Sequence, residues 1–324
     1  MPRHDAKLRA GLRVGLRYSL AFAMLGYGFH KLFPLQFPEP GTWRLLERYG
    51  DSSPMGLLWT FMGQSPAYVS FTGLAEVTGG LLLLSRRTTT LGALVVVGVM
   101  SNVVMLNFCY DVPVKIFSTH LLLAAVLLLL RDARRLVDVL VLGRGTHAVT
   151  LRPPFATPRR RRLWLVAKSL VVVALVGSTF AQGLLGWLAD EDPAQQEPPT
   201  YAVERFTQAG VEHPPLVTDA ARWQRVMMTQ HGRFLVTRMD GTMDRHRYAR
   251  DDDGVTLTIT PFEGEGEGEG EGTLVETIVD DERRILAGTF DGRALEVELR
   301  RIEPGDFPLR ERGFHWVSEA PFNR

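Results

Sequence analysis

Long apolar runs dominate the first part of the chain and restrict what it can fold into. A helix that crosses a lipid bilayer needs about 20 largely apolar residues, and inside a bilayer only helices or closed barrels satisfy the backbone polar groups. The sequence offers five such runs, at about 14–33, 66–84, 89–110, 114–130 and 163–188. This pattern predicts a membrane α-helical bundle with five spanning helices. The third and fourth runs are separated by so few residues that they are expected to form an antiparallel hairpin.

Basic residues are concentrated in alternate connections between these runs, although the net charge is only +1. Cytoplasmic connections of membrane proteins carry an excess of Lys and Arg. We therefore expect a bacterial cytoplasmic (inner) membrane protein with its N-terminus in the cytoplasm and its C-terminal region outside. The basic positions on the predicted inner side are Arg3, Lys7, Arg9, Arg13, Arg17, Arg86, Arg87, Arg131, Arg134, Arg135, Arg144, Arg152 and Arg159–Arg162. The arginine run at the end of this list is interpreted as a topology signal that contacts anionic lipid, not as a nucleic-acid site.

The C-terminal part changes from apolar runs to a period of two. Leu295, Val297 and Leu299 alternate with charged residues, as in half-buried strands. Asp240-Gly241 and Asp291-Gly292 are typical of hairpin turns of the primed type. The pattern predicts a soluble, mainly-β extracytoplasmic domain of about seven antiparallel strands, arranged as an up-and-down sandwich or open barrel.

The predicted organisation has five parts. Residues 1–145 form a four-helix transmembrane domain, whose external loop 34–65 contains short interfacial helices that cap the bundle. A basic cytoplasmic loop follows at 146–162, then the fifth span at 163–188 and an acidic, proline-rich linker at 189–200. The β-domain occupies 201–324. It contains a low-complexity Glu-Gly loop at 263–272 and an aromatic tail at 312–324, which is expected to fold back onto the sheet or the membrane surface.

Polar residues inside a membrane span usually face the bundle interior or a cavity. Counting about 1.5 Å per residue from the outer helix ends, Glu76 lies deepest and His120 points inward to share a site with it, while Asp111 and Lys115 shape the entrance. The candidate ligand-binding or proton-handling residues are Tyr27, His30, Lys31, Glu76, Asn102, Asn107, Asp111, Lys115 and His120. Structural roles stay open for several of them: interhelical hydrogen bonding for Glu76, packing for His120, interfacial anchoring for Lys31 and Lys115, and a turn for Asp111.

Several kinds of chemistry find no support in the sequence. The single cysteine, Cys109, excludes an intrachain disulfide and any chemistry that needs two thiols in one chain. There is no nucleotide-binding loop and no metal-ligand spacing. In the β-domain, His213, His231, His246 and His315 have no partner at a spacing typical of a triad or a metal site.

Three segments together resemble the DoxX-like (DoxX/DoxD) family of membrane proteins. They are 17–32 with its Gly-Phe-His-Lys-Leu end, 73–82 around Glu76, and 107–120 before an apolar helix that ends in Arg131-Asp132. The resemblance covers about 15–145, and the segment 312–316 is similar to a C-terminal extension of one bacterial branch. The family has a four-helix core. One member, DoxD, is a subunit of a thiosulfate:quinone oxidoreductase, and others are implicated in redox-stress complexes or act as membrane partners.

Two functions follow from these observations. The first is a non-catalytic membrane scaffold whose external β-domain binds an envelope or redox protein partner. The alternative is a quinone- or small-ligand-binding membrane subunit of an oxidoreductase, in which Glu76 or His120 handles protons. The missing cofactor ligands favour the first, and the grouping of acid, imidazole and amide side chains favours the second. Whether the protein is an enzyme stays open.

Overall fold

The computed structural model describes residues 2–147, 157–189, 198–229, 232–261 and 270–311. The chain divides into two compact units, a helical unit (Met1–Glu39 and Ser53–Asp190) and a β unit (Pro40–Ser52 and Glu191–Arg324). Most of the predicted linker, most of the Glu-Gly loop, half of the basic loop and the whole aromatic tail lie outside the described residues.

The helical unit follows the predicted runs closely, but its candidate spans are fewer. Among the described residues, α4, α5 and α8 are long and apolar enough to cross a membrane, and α6 with α7, bent by 76° at a short break, would add a fourth. The charged helix α1 is not among these candidates, so the five-span arrangement stays a prediction. The helices are α1 Pro2–Leu32, α2 Thr42–Leu46, α3 Pro54–Gly63, α4 Pro66–Leu84, α5 Thr89–Cys109, α6 Lys115–Leu130, α7 Ala133–Leu140, α8 Pro158–Ala189 and α9 Pro308–Glu311.

Local sequence explains where the central helices begin. The hydroxyl of Ser65 accepts a hydrogen bond from the backbone N–H of Tyr68, and Pro66 occupies the first turn of α4. The same serine–proline arrangement opens α3, where Ser53 accepts from the N–H of Gly56 at 3.0 Å. A serine cap satisfies a helix N–H that has no partner in the helix, and proline has no N–H to leave unsatisfied.

Glycines set the closest helix contact of the unit, between α1 and α4. A Cβ on Gly73 would lie 2.7 Å from the carbonyl oxygen of Gly28 and 2.8 Å from Cβ of Lys31. Only glycine permits so close an approach of two backbones. Gly79, Gly80 and Gly92 make similarly close contacts, with a neighbouring atom 2.7–2.9 Å from the Cβ position, but no neighbouring atom lies within 4 Å of the Cβ position of Gly98.

The predicted hairpin of the third and fourth runs is confirmed. Asp111 adopts a φ of 54°, and the N–H of Val112 donates to the carbonyl of Asn107 at 3.0 Å. Aspartate tolerates this left-handed conformation better than most residues. The turn returns α6 against α5.

The β unit is a closed barrel, not the predicted sandwich or open barrel of about seven strands. Eight strands follow one another as an antiparallel meander in the order β1-β3-β4-β5-β6-β7-β8-β9, and β1 also pairs with β9 from Thr200↔Ile302 to Gln208↔Leu295. The short strand β2 pairs with β1 only. The strands are β1 Thr200–Gln208, β2 Val211–Glu212, β3 Trp223–Met228, β4 Arg233–Arg238, β5 Met243–Arg250, β6 Thr256–Pro261, β7 Gly272–Ile278, β8 Arg283–Phe290 and β9 Arg293–Ile302.

The barrel interior confirms the predicted period of two, because Leu295, Val297 and Leu299 are all buried in it. Asp291 and Gly292 both have positive φ and form the predicted primed turn. At the other predicted turn only Gly241 has positive φ, so a four-residue connection replaces the two-residue turn. Longer connections need fewer residues with positive φ.

Residues 40–52, which we call the strap, belong to the β unit although they lie between α1 and α3 in sequence. Leu46 is buried against Met227 and Leu235 on the barrel. Arg48 donates to the backbone oxygen of Asp240 at 3.4 Å. Two apolar side chains of β3 and β4 give Leu46 a surface to cover, so this segment packs on the barrel. That it also caps the helix bundle stays a prediction. The other predicted interfacial helix, α3, does pack in the helical unit, with Leu58 and Met62 buried beside Val69 of α4.

Candidate functional site

A cavity of about 490 Å³ lies inside the helical unit, among α1, α3, α4, α5 and α6. Its walls are mostly apolar and include Met24, Leu58, Met62, Phe71, Val103 and Leu121. The volume falls within the range typical of small-molecule sites, about 300–1,000 Å³. Gly98 also lines it, which explains why no helix packs against this glycine.

One buried ion pair supplies most of the charge in this cavity. Lys31 Nζ on α1 donates to Glu76 Oε1 on α4, and the two side chains are 7% and 2% exposed. The close contact of Gly28 with Gly73 brings these positions together, because it places the end of α1 beside the middle of α4. The second carboxylate oxygen, Glu76 Oε2, is buried and accepts no hydrogen bond within the part of the chain that the structure describes.

A second polar group lies where α5 and α6 meet. Asn107 Nδ2 donates to Ser118 Oγ at 2.9 Å, and Ser118 Oγ donates to the carbonyl of Lys115 at 3.0 Å. Asn102 and Gln36 also line the cavity. Buried amides and hydroxyls of this kind normally fix the orientation of a bound molecule.

Aromatic rings complete the walls. The rings of Phe37 and Trp59 have centroids 5.0 Å apart, and those of Tyr27 and Phe117 are 5.9 Å apart. All four residues line the cavity. Flat rings beside an apolar space favour a ligand that also contains a ring or a planar group.

The structure brings together five of the nine predicted site residues. Tyr27, Lys31, Glu76, Asn102 and Asn107 line the cavity. The depth estimate was wrong for Lys31, which was expected nearer the surface than Glu76. Helix ends do not share one level in this unit, because the glycine contact sets the register of α1 against α4.

The other four predicted residues do not line the cavity. The inward-pointing role predicted for His120 is wrong: its side chain is exposed, and its Nδ1 lies 2.7 Å from the carbonyl oxygen of Ile116. It lies two positions after the cavity-lining Ser118, which places it about 200° further around the helix. His30 is likewise exposed, with Nδ1 2.9 Å from the Gly26 carbonyl oxygen.

Asp111 and Lys115 pair with each other at the start of α6. The hydrogen bond from Lys115 holds the pKa of Asp111 below its usual range. Asp111 is an exposed turn residue, as the structural interpretation of the sequence proposed, and neither residue lines the cavity.

Sequence reasoning missed Ser118 and Gln36 in the helical unit and one histidine–aspartate pair in the β unit. Gln36 could have been noticed as an isolated amide between Leu35 and Phe37. In the barrel, His213 Nδ1 lies 2.7 Å from Asp219 Oδ2, and this hydrogen bond lowers the pKa of Asp219. The turn through Pro214-Pro215 brings the two residues together, and this contact was not predicted from the sequence.

His246 is buried in the barrel, and its Nδ1 has no hydrogen-bond partner among the described residues. Burial lowers its pKa below the usual value for histidine. Within the described ranges, no group of three or more His, Cys, Asp or Glu is arranged to hold a metal ion. Cys109 is exposed.

These features define a class of protein: a helical unit with apolar helices of membrane-spanning length and an internal cavity, followed by an antiparallel β-barrel. Over 143 residues the chain is 33% identical to the uncharacterized protein YwoB of Bacillus subtilis (strain 168), and the alignment covers 43% of this chain and 91% of YwoB. The chain belongs to the same family as YwoB. No protein-family model matches the chain, and no solved structure matches it.

Proposed function

We propose that the protein is a DoxX-like membrane protein that binds an amphipathic small molecule in the cavity of its helical unit. The observation that carries this proposal is the buried Lys31–Glu76 pair in an otherwise apolar space of about 490 Å³. A buried ion pair is costly unless its remaining hydrogen-bonding capacity is used. Glu76 Oε2 leaves such capacity free for a ligand.

The chemistry of the cavity favours a quinone. A ring with an apolar tail suits the walls formed by Phe37, Trp59 and Phe117. Lys31 can donate to a carbonyl oxygen of the ring, and Glu76 Oε2 can accept from the hydroxyl of the reduced form. Glu76 is then the proton-handling residue of a ligand-binding subunit of an oxidoreductase. The scaffold function, in which the barrel binds an envelope or redox protein, stays a prediction that is compatible with this one.

The strap supports the proposed five-span topology of an inner-membrane protein. The strap follows α1, the barrel follows α8, and the two form one compact unit. Both therefore lie on the same side of a membrane, so the chain between them crosses it an even number of times. Helices α4, α5, the bent pair α6–α7, and α8 provide four crossings. With α1 as the first crossing, the distribution of Lys and Arg puts the N-terminus in the cytoplasm and the barrel outside.

Quinone binding by the purified full-length protein tests this function. A short-tail quinone is titrated into wild type, Glu76→Gln and His120→Ala, and binding is measured by calorimetry. We expect Glu76→Gln to weaken binding of the reduced form by about 10- to 100-fold, since a hydrogen bond to a charged group contributes about 1.5–3 kcal/mol. His120→Ala is the matched control, because His120 lies outside the cavity.

Two results would contradict the proposal. In the first, wild type binds neither the oxidised nor the reduced quinone. In the second, Glu76→Gln binds the reduced form as tightly as wild type does. A circular dichroism spectrum of each variant shows whether its helices are intact, so that lost binding is not confused with lost folding.

A further inference from the structure

A second polar site lies away from the cavity, at the end of the helical unit where α4 ends and α5 begins. Its central residue is Arg17 of α1, which is only 5% exposed. Arg17 Nη1 donates to Thr89 Oγ1 at 3.3 Å, while Nε is buried and has no hydrogen-bond partner in the part of the chain that the structure describes. No carboxylate of the described residues forms an ion pair with this guanidinium.

A buried guanidinium without a counter-charge is unusual. Charged side chains are almost never buried unless they are paired, because removing a charge from water is expensive. The ring of Tyr18 gives partial compensation, since the Arg17 guanidinium carbon lies 4.7 Å from its centroid. A cation–π contact is weaker than an ion pair with full hydrogen bonding. The described residues therefore satisfy Arg17 only in part.

More positive charge lies beside it. Lys168 of α8 places Nζ 5.7 Å from the same Tyr18 ring and 5.7 Å from the ring of Trp164. Its Nζ donates to the carbonyl of Leu84 at 3.2 Å. Two cations from two helices, Arg17 of α1 and Lys168 of α8, thus lie against one tyrosine ring.

We infer that Arg17 and Lys168 bind the phosphate of an anionic phospholipid headgroup. One phosphate would supply the negative charge that Arg17 does not find among the described residues, and its oxygens accept several hydrogen bonds at once. Basic pockets between membrane helices are a known arrangement for lipid headgroups. The inference does not depend on the proposed quinone site.

The surroundings favour a lipid over a free phosphate ion. Trp164 and Tyr18 are amphipathic rings of the kind that lies at the headgroup level of a membrane. On α8, the apolar side chains of Leu165 and Val166 next to Trp164 are 44% and 50% exposed. An acyl chain can cover these side chains while the phosphate contacts Lys168.

Lipid-dependent thermal unfolding of the purified full-length protein in detergent tests the inference. Phosphatidylglycerol, phosphatidylcholine and inorganic phosphate are added separately. At a phosphatidylglycerol concentration about 100-fold above Kd, the unfolding midpoint of wild type should rise by about 5–10 °C. Phosphatidylcholine and inorganic phosphate should leave it unchanged. In Arg17→Gln and Lys168→Gln the rise should fall to half or less, while in the control Arg13→Gln, an exposed basic residue of the same helix, it should persist.

The inference is overturned if Arg17→Gln and Lys168→Gln respond to phosphatidylglycerol as wild type does, or if Arg13→Gln loses as much of the response. An equal response to inorganic phosphate would assign the cluster to a free anion and refute the lipid. If Arg17→Gln does not fold, the half-buried Lys168 carries the test, because its replacement leaves the buried contacts of α1 intact. Native mass spectrometry then counts the lipids retained by wild type and Lys168→Gln, and equal counts also overturn the inference.

Discussion

Replacing Lys31 by methionine should destabilise the helical unit strongly, although only one side-chain interaction is lost. In Lys31→Met, the carboxylate of Glu76 stays 2% exposed and loses its partner on Oε1, while Oε2 has no hydrogen-bond partner among the described residues to begin with. Removing one member of a buried pair typically costs about 3–5 kcal/mol, because it leaves an uncompensated charge.

The double replacement Lys31→Met/Glu76→Leu should recover most of this loss. Two apolar side chains of similar volume need no hydrogen bonds, and replacing a whole buried pair in this way is often neutral or stabilising by about 1–4 kcal/mol. The two substitutions are thus expected to be strongly non-additive, as is usual for residues in direct contact.

Thermal unfolding in detergent, followed by helical circular dichroism, measures the effect. At about 2–4 °C per kcal/mol for a unit of this size, Lys31→Met should lower the midpoint by roughly 6–20 °C. Lys115→Met is the control, since it breaks the pair with the fully exposed carboxylate of Asp111 and should change the midpoint little. The reasoning fails if Lys31→Met and Lys115→Met lower the midpoint equally. It also fails if Lys31→Met/Glu76→Leu lowers the midpoint by the sum of the losses in Lys31→Met and Glu76→Leu.

Two further predictions concern the barrel and the topology. His246 is buried and its pKa is lowered, so below pH about 6.5 the unfolded chain takes up a proton that the folded barrel resists. The free energy of unfolding therefore decreases as the pH falls below this value, and above it this histidine costs no stability. His246→Phe should flatten the decline between pH 7 and 5 in thermal unfolding of the full chain, and an unchanged slope would count against this cause. For topology, alkaline phosphatase fused after Arg324 should be active and a fusion at Arg144 inactive. An inactive enzyme after Arg324 would reverse the proposed orientation.

Sequence alone predicted the parts of the fold that depend on neighbouring residues. The helix Pro66–Leu84 could be placed to the residue, because Ser65-Pro66 opens it and Ser85-Arg86 follows its last apolar residue. The alternation at 295–299 predicted the inward face of β9 correctly. In both cases the determining signal lies within one turn or one strand.

Features that depend on contacts between distant segments could not be predicted. The pairing of Lys31 with Glu76 follows from the register of α1 against α4, which Gly28 and Gly73 set by their lack of side chains. Depth counted along each helix separately does not contain this information. Barrel closure likewise depends on the pairing of β1 with β9, the first and last strands of the meander. His120 was misplaced because its angular position around α6 was not compared with that of Ser118.

The strap has a consequence for how the protein is assembled during synthesis. Leu46 is synthesised before α3, but Met227 and Leu235, which bury it, follow only after α8. Until the barrel has folded, this leucine lacks the surface that buries it, and contacts so distant in sequence form late. A chain truncated before the barrel would therefore leave Leu46 without the apolar surface of Met227 and Leu235 that covers it.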